Sequence, residues 1–266
     1  MSSVFDWPTA TFRAGTVVRS ASDEAAVSDR PDRLPGFSTA KLAQTTALLV
    51  GAGGLNCWVA LGLARKGIGA LRICDGDLVE ASNLNRQFFS RDDLFQSKAV
   101  CLARNAAANS WLGSSCTGFE CDFDEDSAGM LSDRVDVAVV GVDGNPARAL
   151  ASRHFRKCGI PAVFLGVSED AEHRWTFIQG RDGPCVGCVF PRVAAALGTR
   201  QPCRDVPAVL DCLLESAGAA LRAVDAIVMG RAICWNFDAF HLADSVGGWR
   251  ATVTQRTGCK LCGHGS

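Results

Sequence analysis

Residues 46–56 read Thr46-Ala-Leu-Leu-Val50-Gly51-Ala-Gly53-Gly54-Leu-Asn56, an apolar run that ends in a glycine-rich turn. The run 46–50 predicts a buried strand, and residues 54–67 predict a helix because apolar side chains recur at helical spacing. Glycines at 67 and 69 end that helix, and residues 71–74 predict a second strand. The stretch therefore predicts a strand–helix–strand unit, which is the building block of a parallel α/β sheet.

The turn after the first strand has the composition of a phosphate-binding loop. Its backbone can approach a phosphate without a Cβ clash at three glycines, Gly51, Gly53 and Gly54. Asp75 follows the second strand, where a dinucleotide fold places the carboxylate that binds ribose, and Asp77 is a second candidate. Asn56 replaces the third glycine of the dinucleotide fingerprint and weakens a plain NAD interpretation. An ordinary tight turn remains the alternative.

The rest of the chain continues the α/β pattern. Helices are predicted at 97–109 and 145–158 and strands at 135–140, 162–166 and 174–179, with a long apolar helix at 213–235 and a last strand at 249–255. Residues 1–40 are mixed and polar, and they predict an arm. Residues 41–266 are then one domain, with a nucleotide half at 41–166 and a second half at 167–266.

Composition excludes several classes of function. The net charge of −1 gives no general attraction to nucleic acid or to an anionic membrane. No apolar run approaches the roughly 20 residues that cross a bilayer, and the N-terminus lacks the pattern of a secretory signal. Thirteen cysteines in a chain of this kind predict reduced thiols and a cytoplasmic location, and most of them, such as Cys57, Cys158 and Cys234, are expected to act as small apolar residues.

Four cysteines have the spacing of metal ligands. They form two C-x-x-C pairs beside glycines, Cys185 with Cys188 and Cys259 with Cys262. Two such pairs supply the tetrahedral set of a structural zinc site, here as a clamp between distant parts of one domain. A redox dithiol or incidental core cysteines are the alternatives.

Cations and amides lie between these motifs. The segment 82–87 reads Ser-Asn-Leu-Asn-Arg-Gln, Lys98 follows it, and Asp143-Gly144-Asn145 comes after the predicted strand at 135–140. Arg86 and Lys98 can neutralise a triphosphate. A solvated loop with two unrelated cations is the other interpretation.

Together these motifs resemble the ThiF/MoeB/E1-like adenylyltransferases, which activate ubiquitin-like and sulfur-carrier proteins. The resemblance runs from about residue 30 to residue 262 and implies a Rossmann-like α/β fold with a mixed central sheet and a zinc clamp made of the four paired cysteines. It implies that ATP and Mg²⁺ bind through the glycine loop and a set of polar residues: Asp75, Asp77, Asn83, Arg86, Gln87, Lys98, Asp143 and Asn145. Within that set, Asp75 holds the ribose, Asn83, Arg86 and Lys98 meet the phosphates, and Asp143 holds Mg²⁺.

The resemblance extends to the N-terminus and to a thiol. Arg30-Pro-Asp-Arg33-Leu-Pro-Gly36 is similar to a family motif whose arginine reaches the ATP of a partner subunit, which implies a homodimer in which Arg30 or Arg33 acts. A solvated polar arm is the equal alternative. Family members often carry a cysteine between the zinc pairs that forms a thioester or persulfide. Cys203, beside two arginines, is favoured for that role over Cys212, and a chain with no catalytic thiol is the alternative.

The expected function is ATP-dependent adenylylation of the C-terminal glycine carboxylate of a ubiquitin-like or sulfur-carrier protein. An E2-like conjugating protein, or a sulfur donor in trans, would then follow. The alternatives are a same-fold enzyme acting on a small carboxylate, a peptide or a tRNA base, a NAD-binding oxidoreductase, and a silent scaffold subunit.

Overall fold

The computed structural model describes residues 7–13, 21–168, 172–199, 208–241 and 247–263. Nine strands are present in these residues: β1 (Thr9–Arg13), β2 (Thr46–Val50), β3 (Ala70–Cys74), β4 (Ser115–Phe119), β5 (Val137–Val140), β6 (Ala162–Val167), β7 (His173–Gln179), β8 (Phe237–His241) and β9 (Gly248–Ala251). The α-helices are α1 (Ala21–Asp32), α2 (Thr39–Ala43), α3 (Gly54–Lys66), α4 (Lys98–Ala108), α5 (Ala128–Leu131), α6 (Asn145–Cys158), α7 (Val186–Val189), α8 (Pro191–Ala195) and α9 (Leu210–Met229). Two short 3₁₀ helices, Ala81–Asn83 and Arg91–Asp93, lie before α4.

All nine strands form one mixed sheet in the order β1-β4-β3-β2-β5-β6-β7-β8-β9. Strands β2 to β6 are parallel to their neighbours among themselves, whereas β1, β7, β8 and β9 pair antiparallel. The chain runs outward from β2 to one side of the sheet and then returns to β5 on the other side. The carboxyl ends of β2 and β5 are therefore the topological switch point, where open α/β sheets bind ligands.

The sheet is buried on both faces. Within β2, the side chains of Ala47 and Leu49 belong to one core and those of Leu48 and Val50 to the other, as the two-residue period of a strand requires. Helices α3, α4 and α9 cover the first face, and α6 with the cysteine pairs covers the second. This continuous burial explains the unbroken apolar runs of the central strands.

Helices α3 and α9 pack closely at two glycines of α3. A Cβ atom on Gly62 would lie 2.4 Å from Cδ1 of Leu221, and one on Gly54 would lie 2.7 Å from Cδ1 of Leu213. The first turn of α9 therefore rests against the glycine loop that starts α3.

Most predicted elements of the nucleotide half are confirmed, but the long apolar helix is wrong at its end. It was expected to reach residue 235 and ends at Met229, because Gly230 adopts the left-handed conformation (φ 66°) of a helix C-cap. The last strand stops at Ala251, four residues before its expected end.

The polar arm is also more ordered than expected. Residues 9–13 form β1, which pairs antiparallel with β4 at the edge of the sheet, and residues 21–32 form α1. Two of the cysteines expected to be buried, Cys158 and Cys234, are exposed, because they lie at or beyond the ends of helices rather than inside the core. None of the described helices has the length and apolar character needed to cross a membrane.

Candidate active site and metal centre

The glycine loop joins the end of β2 to the first turn of α3. Gly51 has φ +90°, and a Cβ atom there would lie 3.0 Å from Cγ1 of Val142. Gly53 is the N-cap residue of α3. No side chain caps the first amide groups of this 13-residue helix, and these groups point to the loop. A Cβ on Gly53 would meet no atom within 4 Å, which leaves open space in front of the helix. Amide groups and the positive end of a helix at an open position can hold a phosphate.

Asn56 fixes the shape of this loop. Its Nδ2 donates to the carbonyl oxygens of Val50 (2.9 Å) and Gly51 (2.8 Å). Its Oδ1 is buried without a hydrogen-bond partner among the described residues. A Cβ atom on Gly141, which follows β5, would lie 2.7 Å from that Oδ1. Asn56 of α3 therefore ties the end of β2 to the helix and packs against Gly141, a role that the sequence interpretation missed when it treated this residue only as a lost glycine.

Asp75 is tied into the loop by its carboxylate. Oδ2 accepts from the amide of Ala52 (2.6 Å) and Oδ1 accepts from the amide of Asp77 (2.8 Å). Burial raises the pKa of Asp75 to about 6, against the opposing effect of these two amides and of Lys98. Asp75 directly follows β3, as the sequence predicted, and its role in binding ribose stays a prediction.

Lys98 is the first residue of α4 and lies beside the two acidic side chains. Its Nζ donates to Oδ2 of Asp77 at 2.8 Å, and the Lys98 side chain is only 11% exposed. Burial alone would lower the pKa of Lys98, but the hydrogen bond to Asp77 and the charges of Asp75 and Asp77 raise it. The cation therefore stays charged next to the glycine loop, ready for an anionic ligand.

The segment before α4 separates into scaffold and exposed residues. Asn83 is buried, and its Oδ1 accepts from the amide of Glu80 (3.0 Å), which makes it part of a local capping box. Gln87 is also buried, and its Oε1 has no partner among the described residues. Arg86 donates to Oδ1 of Asn85 (3.0 Å), and its carbonyl oxygen accepts from the indole N–H of Trp58 on α3 (3.1 Å). The Trp58 contact fixes the backbone of Arg86 against α3.

Asp143 lies exposed between β5 and α6, with Gly144 as the N-cap of α6. Arg148 holds this turn: its Nη1 donates to the carbonyl oxygen of Asp143 and to Oδ1 of Asn145, both at 3.3 Å. The guanidinium of Arg148 stacks over the ring of Trp175 at 5.4 Å, and its Nε has no partner among the described residues. Burial lowers the pKa of Arg148 and the charge of Asp143 raises it.

The sequence interpretation did not single out Arg148. Its signal was available, since residue 148 lies three positions after Asn145 and so faces the same side of the first helical turn. The buried contact with Trp175 of β7 could be found only in the fold.

The N-terminal arginines lie in or next to α1. Arg30 is in the last turn of that helix, and Arg33 pairs with Asp29 on an exposed surface. Within the described part of the chain, no hydrogen bond or ion pair joins Arg30 to the glycine loop. A role for Arg30 at a nucleotide therefore stays a prediction.

The two C-x-x-C pairs come together as their spacing predicted. The Sγ atoms of the four cysteines all lie within 4.8 Å of one another. Individual distances are 3.9 Å for Cys185–Cys188, 3.5 Å for Cys185–Cys259 and 3.3 Å for Cys188–Cys262. Tetrahedral zinc with Zn–S bonds near 2.3 Å requires sulfur atoms about 3.8 Å apart. The four cysteines are buried and fit a closed structural zinc site with no position for a substrate.

The candidate thiols differ. Cys212 is buried on α9, as expected, and burial raises its pKa to about 11, with Asp211 and Glu215 adding to the effect. A thiol with that pKa is a poor nucleophile near neutral pH. Cys203 lies outside the described residues.

Comparisons with known proteins identify the family and the fold that this chain resembles. The model described as "ThiF family" matches residues 31–232. The chain is 30% identical to "Adenylyltransferase and sulfurtransferase MOCS3-1" of Zea mays over 246 residues, which are 88% of this chain and 50% of that protein. It is 35% identical to "Adenylyltransferase and sulfurtransferase MOCS3" of Bos taurus over 179 residues, which are 65% of this chain and 39% of the relative. The chain thus spans half or less of the length of these curated relatives.

Solved structures share the fold. E. coli MccB with AMPCPP and SeMet MccA superposes with a TM-score of 0.69 at 17% identity, over 85% of this chain and 68% of that one. SeMet PaaA superposes with a TM-score of 0.67 at 20% identity, over 91% and 77% of the two chains.

Proposed function

The chain belongs to the ThiF family, and from that membership we propose that it adenylylates the C-terminal carboxylate of a sulfur-carrier or ubiquitin-like protein. One observation carries the proposal. An open helix N-terminus, a ribose-type carboxylate, a buried lysine and an exposed aspartate follow β2, β3 and β5 at the switch point of one sheet. This set offers partners for each part of MgATP: a carboxylate for the ribose, a helix N-terminus and a lysine for the phosphates, and an aspartate for the metal ion.

In the proposed reaction, an oxygen of the substrate carboxylate attacks the α-phosphorus of ATP. The new carboxylate–phosphorus bond forms as the bond from the α-phosphorus to the bridging oxygen of pyrophosphate breaks, and pyrophosphate leaves with the electron pair. Lys98 and Arg86 stabilise the negative charge that builds on the phosphates. Asp143 would hold Mg²⁺, which neutralises phosphate charge when it is bound.

The cysteine cluster serves the structure in this proposal. Four thiolates at these distances would hold zinc and join the turn after β7 to the end of the chain. We propose that residues 41–166 bind the nucleotide and that residues 167–266 hold zinc and the substrate. The cysteines in the described part of the chain form no disulfide with one another, which suits the proposed cytoplasmic location.

Two further parts of the proposal concern residues that act later or from another subunit. Cys203 would take the activated acyl group as a thioester or would carry sulfur as a persulfide. An E2-like protein or a sulfur donor in trans would follow. Arg30 of one copy would reach the ATP of the other in a homodimer, and mixing Arg30→Ala with Asp143→Ala copies would test this by partial recovery of activity.

ATP–pyrophosphate exchange tests the central step. The full chain should exchange label only when a small carrier protein ending in Gly-Gly is present. Asp143→Ala should abolish the exchange, whereas Asp126→Ala, a change at an exposed aspartate outside the site, should keep it. Exchange without any carrier would favour a small carboxylate substrate, and no exchange with ATP bound would favour a scaffold role; either result would overturn the proposal.

A further inference from the structure

A second group of charged side chains lies on the last three strands, on the face of the sheet that α9 covers. Arg174 of β7 donates to Oδ2 of Asp238 on β8, and Arg250 of β9 donates to Oδ1 of Asp238 at 3.0 Å. Arg174 and Asp238 are buried, with side chains 8% and 7% exposed, whereas Arg250 is 56% exposed. The group therefore contains two cations and one anion, and it carries a net charge of +1.

The buried part of this group has unsatisfied polar atoms. Nε of Arg174 and Oγ1 of Thr176 have no hydrogen-bond partner in the described part of the chain, nor does Oγ of Ser216. Arg174 and Thr176 lie on the side of β7 that faces α9, because Ile178 on the same side packs in the core with that helix. Buried donors without partners cost folding free energy, so a group that only linked three strands would be expected to pair them.

A cavity of about 380 Å³ opens beside Arg174. It is lined by Arg174, Asp238, Phe240, Gly248 and Arg250. The guanidinium of Arg174 stacks over Phe240 at 5.6 Å, and that of Arg250 over Trp235 at 4.9 Å. Planar guanidinium groups held against aromatic rings are suited to bind a carboxylate through two hydrogen bonds.

The cavity lies at the same edge of the sheet as the glycine loop. Arg174 pairs with Val167, the last residue of β6, which runs parallel to β5 and β2. In the strand order, β7 is two strands from β5 and three from β2. At about 4.8 Å per strand, Arg174, on the strand of the cavity nearest to the glycine loop, is roughly 10–15 Å from the switch point, a span that about three to five extended residues cover.

We propose that this cavity binds a carboxylate side chain in the C-terminal tail of the protein substrate, three to five residues before the carboxylate that is activated. The inference rests on the proposed function for the placement of the tail. The net positive charge selects an anion, Arg174 supplies the buried donor, and Arg250 closes over the group from the solvent side.

Binding of labelled peptides tests the site without any catalytic step. Nine-residue peptides ending in Gly-Gly would carry Glu, or the neutral Gln, in turn at three, four or five residues before the end. Fluorescence anisotropy at low salt should show Glu binding about tenfold more tightly than Gln at one of these positions, the size expected of a charge-assisted hydrogen bond. A Glu-to-Gln ratio near one at all three positions would overturn the proposal.

Variants separate the site from general charge effects. Arg250→Gln changes an exposed residue and should reduce the Glu preference to about one. Arg153→Gln is the control: it breaks the exposed ion pair between Arg153 of α6 and Glu125, and it should keep the preference. A preference that persists in Arg250→Gln would contradict the assignment.

Two further results separate this inference from the proposed function. A peptide that binds with the Glu preference and yet supports no pyrophosphate exchange is the first. That result would refute adenylylation and leave the carboxylate site supported. Glutarate that binds wild type but not Arg250→Gln, with no Glu preference in the peptides, would assign the cavity to a free dicarboxylate and overturn the tail assignment.

Discussion

Replacing Asn56 by alanine should destabilise the protein through the loop that starts α3. The change removes two hydrogen bonds to the carbonyl oxygens of Val50 and Gly51. The oxygen of Val50 still accepts from the amide of Gly141, whereas that of Gly51 is left without this donor. Each unsatisfied buried acceptor costs about 1–3 kcal/mol. Since one acceptor loses its donor and the unpartnered Oδ1 is removed at the same time, we expect the free energy of unfolding to fall by about 1–3 kcal/mol.

Gly141 gives this prediction an internal check. A Cβ atom there would lie 2.7 Å from Oδ1 of Asn56, so Gly141→Ala alone should cost about 1–3 kcal/mol by overpacking. In the Asn56→Ala background the obstructing oxygen is absent, and the same change should cost much less. Contact between the two sites predicts a coupling of about 1 kcal/mol or more in a double-mutant cycle.

Urea unfolding of the four proteins measures these quantities. Asn109→Ala is the matched control, because Asn109 also donates to a main-chain carbonyl, that of Asn105, at the end of α4. It should cost less than Asn56→Ala. Additive costs at positions 56 and 141, or a loss below about 0.5 kcal/mol for Asn56→Ala, would refute the argument that this side chain holds the loop.

Three other predictions concern the metal, the pH and the turn after β5. Chelation, or Cys259→Ser, should remove one zinc ion per chain and lower the Tm by about 6–12 °C, equivalent to about 3 kcal/mol. Calorimetry with metal analysis would measure both the Tm and the zinc content, and an unchanged Tm would contradict a structural zinc. The pKa of Asp75 is raised to about 6, so its carboxylate is lost as the pH falls through 6. ADP affinity measured by calorimetry should therefore weaken from pH 7 to pH 5 in wild type and stay flat in Asp75→Asn. Over the same fall in pH this group should increase the stability of the folded state, because the folded state binds a proton that the unfolded state does not yet bind. Arg148→Met frees the turn that carries Asp143 and should lower the exchange rate about tenfold at unchanged ATP affinity; an unchanged rate would remove Arg148 from the proposal.

Much of residues 41–166 could be predicted from the sequence because the signals of those elements are local. The strand at 46–50, the helix after it and the strand at 162–167 have strong apolar patterns and clear glycine ends. The cluster of four cysteines could be predicted because two C-x-x-C pairs have the spacing of metal ligands. In each case a few neighbouring residues contain the information.

The remaining features depend on residues that are distant in the sequence. Strand β4 reads Ser-Cys-Thr-Gly-Phe, which has no apolar period, and it is a strand because β3 and β1 bind it on both sides. A Cβ atom on Gly118 of that strand would lie 2.5 Å from the carbonyl oxygen of Ala99, so the glycine allows α4 to approach. Hydrophobicity continued past Gly230, and only backbone conformation ends α9 there.

The candidate site divides in the same way. Strand-end residues such as Asp75 and Asp143 were found from their order along the chain. Asn83 forms a capping box with Glu80, only three residues away, which is a local signal that the sequence interpretation missed. Arg148 and the Arg174–Asp238 pair depend on partners of other strands and helices, and such partners are defined only by the fold.

The contact between Leu213 and Gly54 makes α9 a shared component of two binding processes. The helix begins shortly after the segment that contains Cys203, its first turn lies on the glycine loop, and its side packs against β6 and β7 next to the carboxylate cavity. A ligand that shifts this turn changes the energy of the loop, and a ligand on the loop changes the energy of the turn by the same amount. If the proposed nucleotide and substrate tail each shift this turn, their occupancies are thermodynamically linked through α9, and each ligand should alter the affinity for the other by an equal factor.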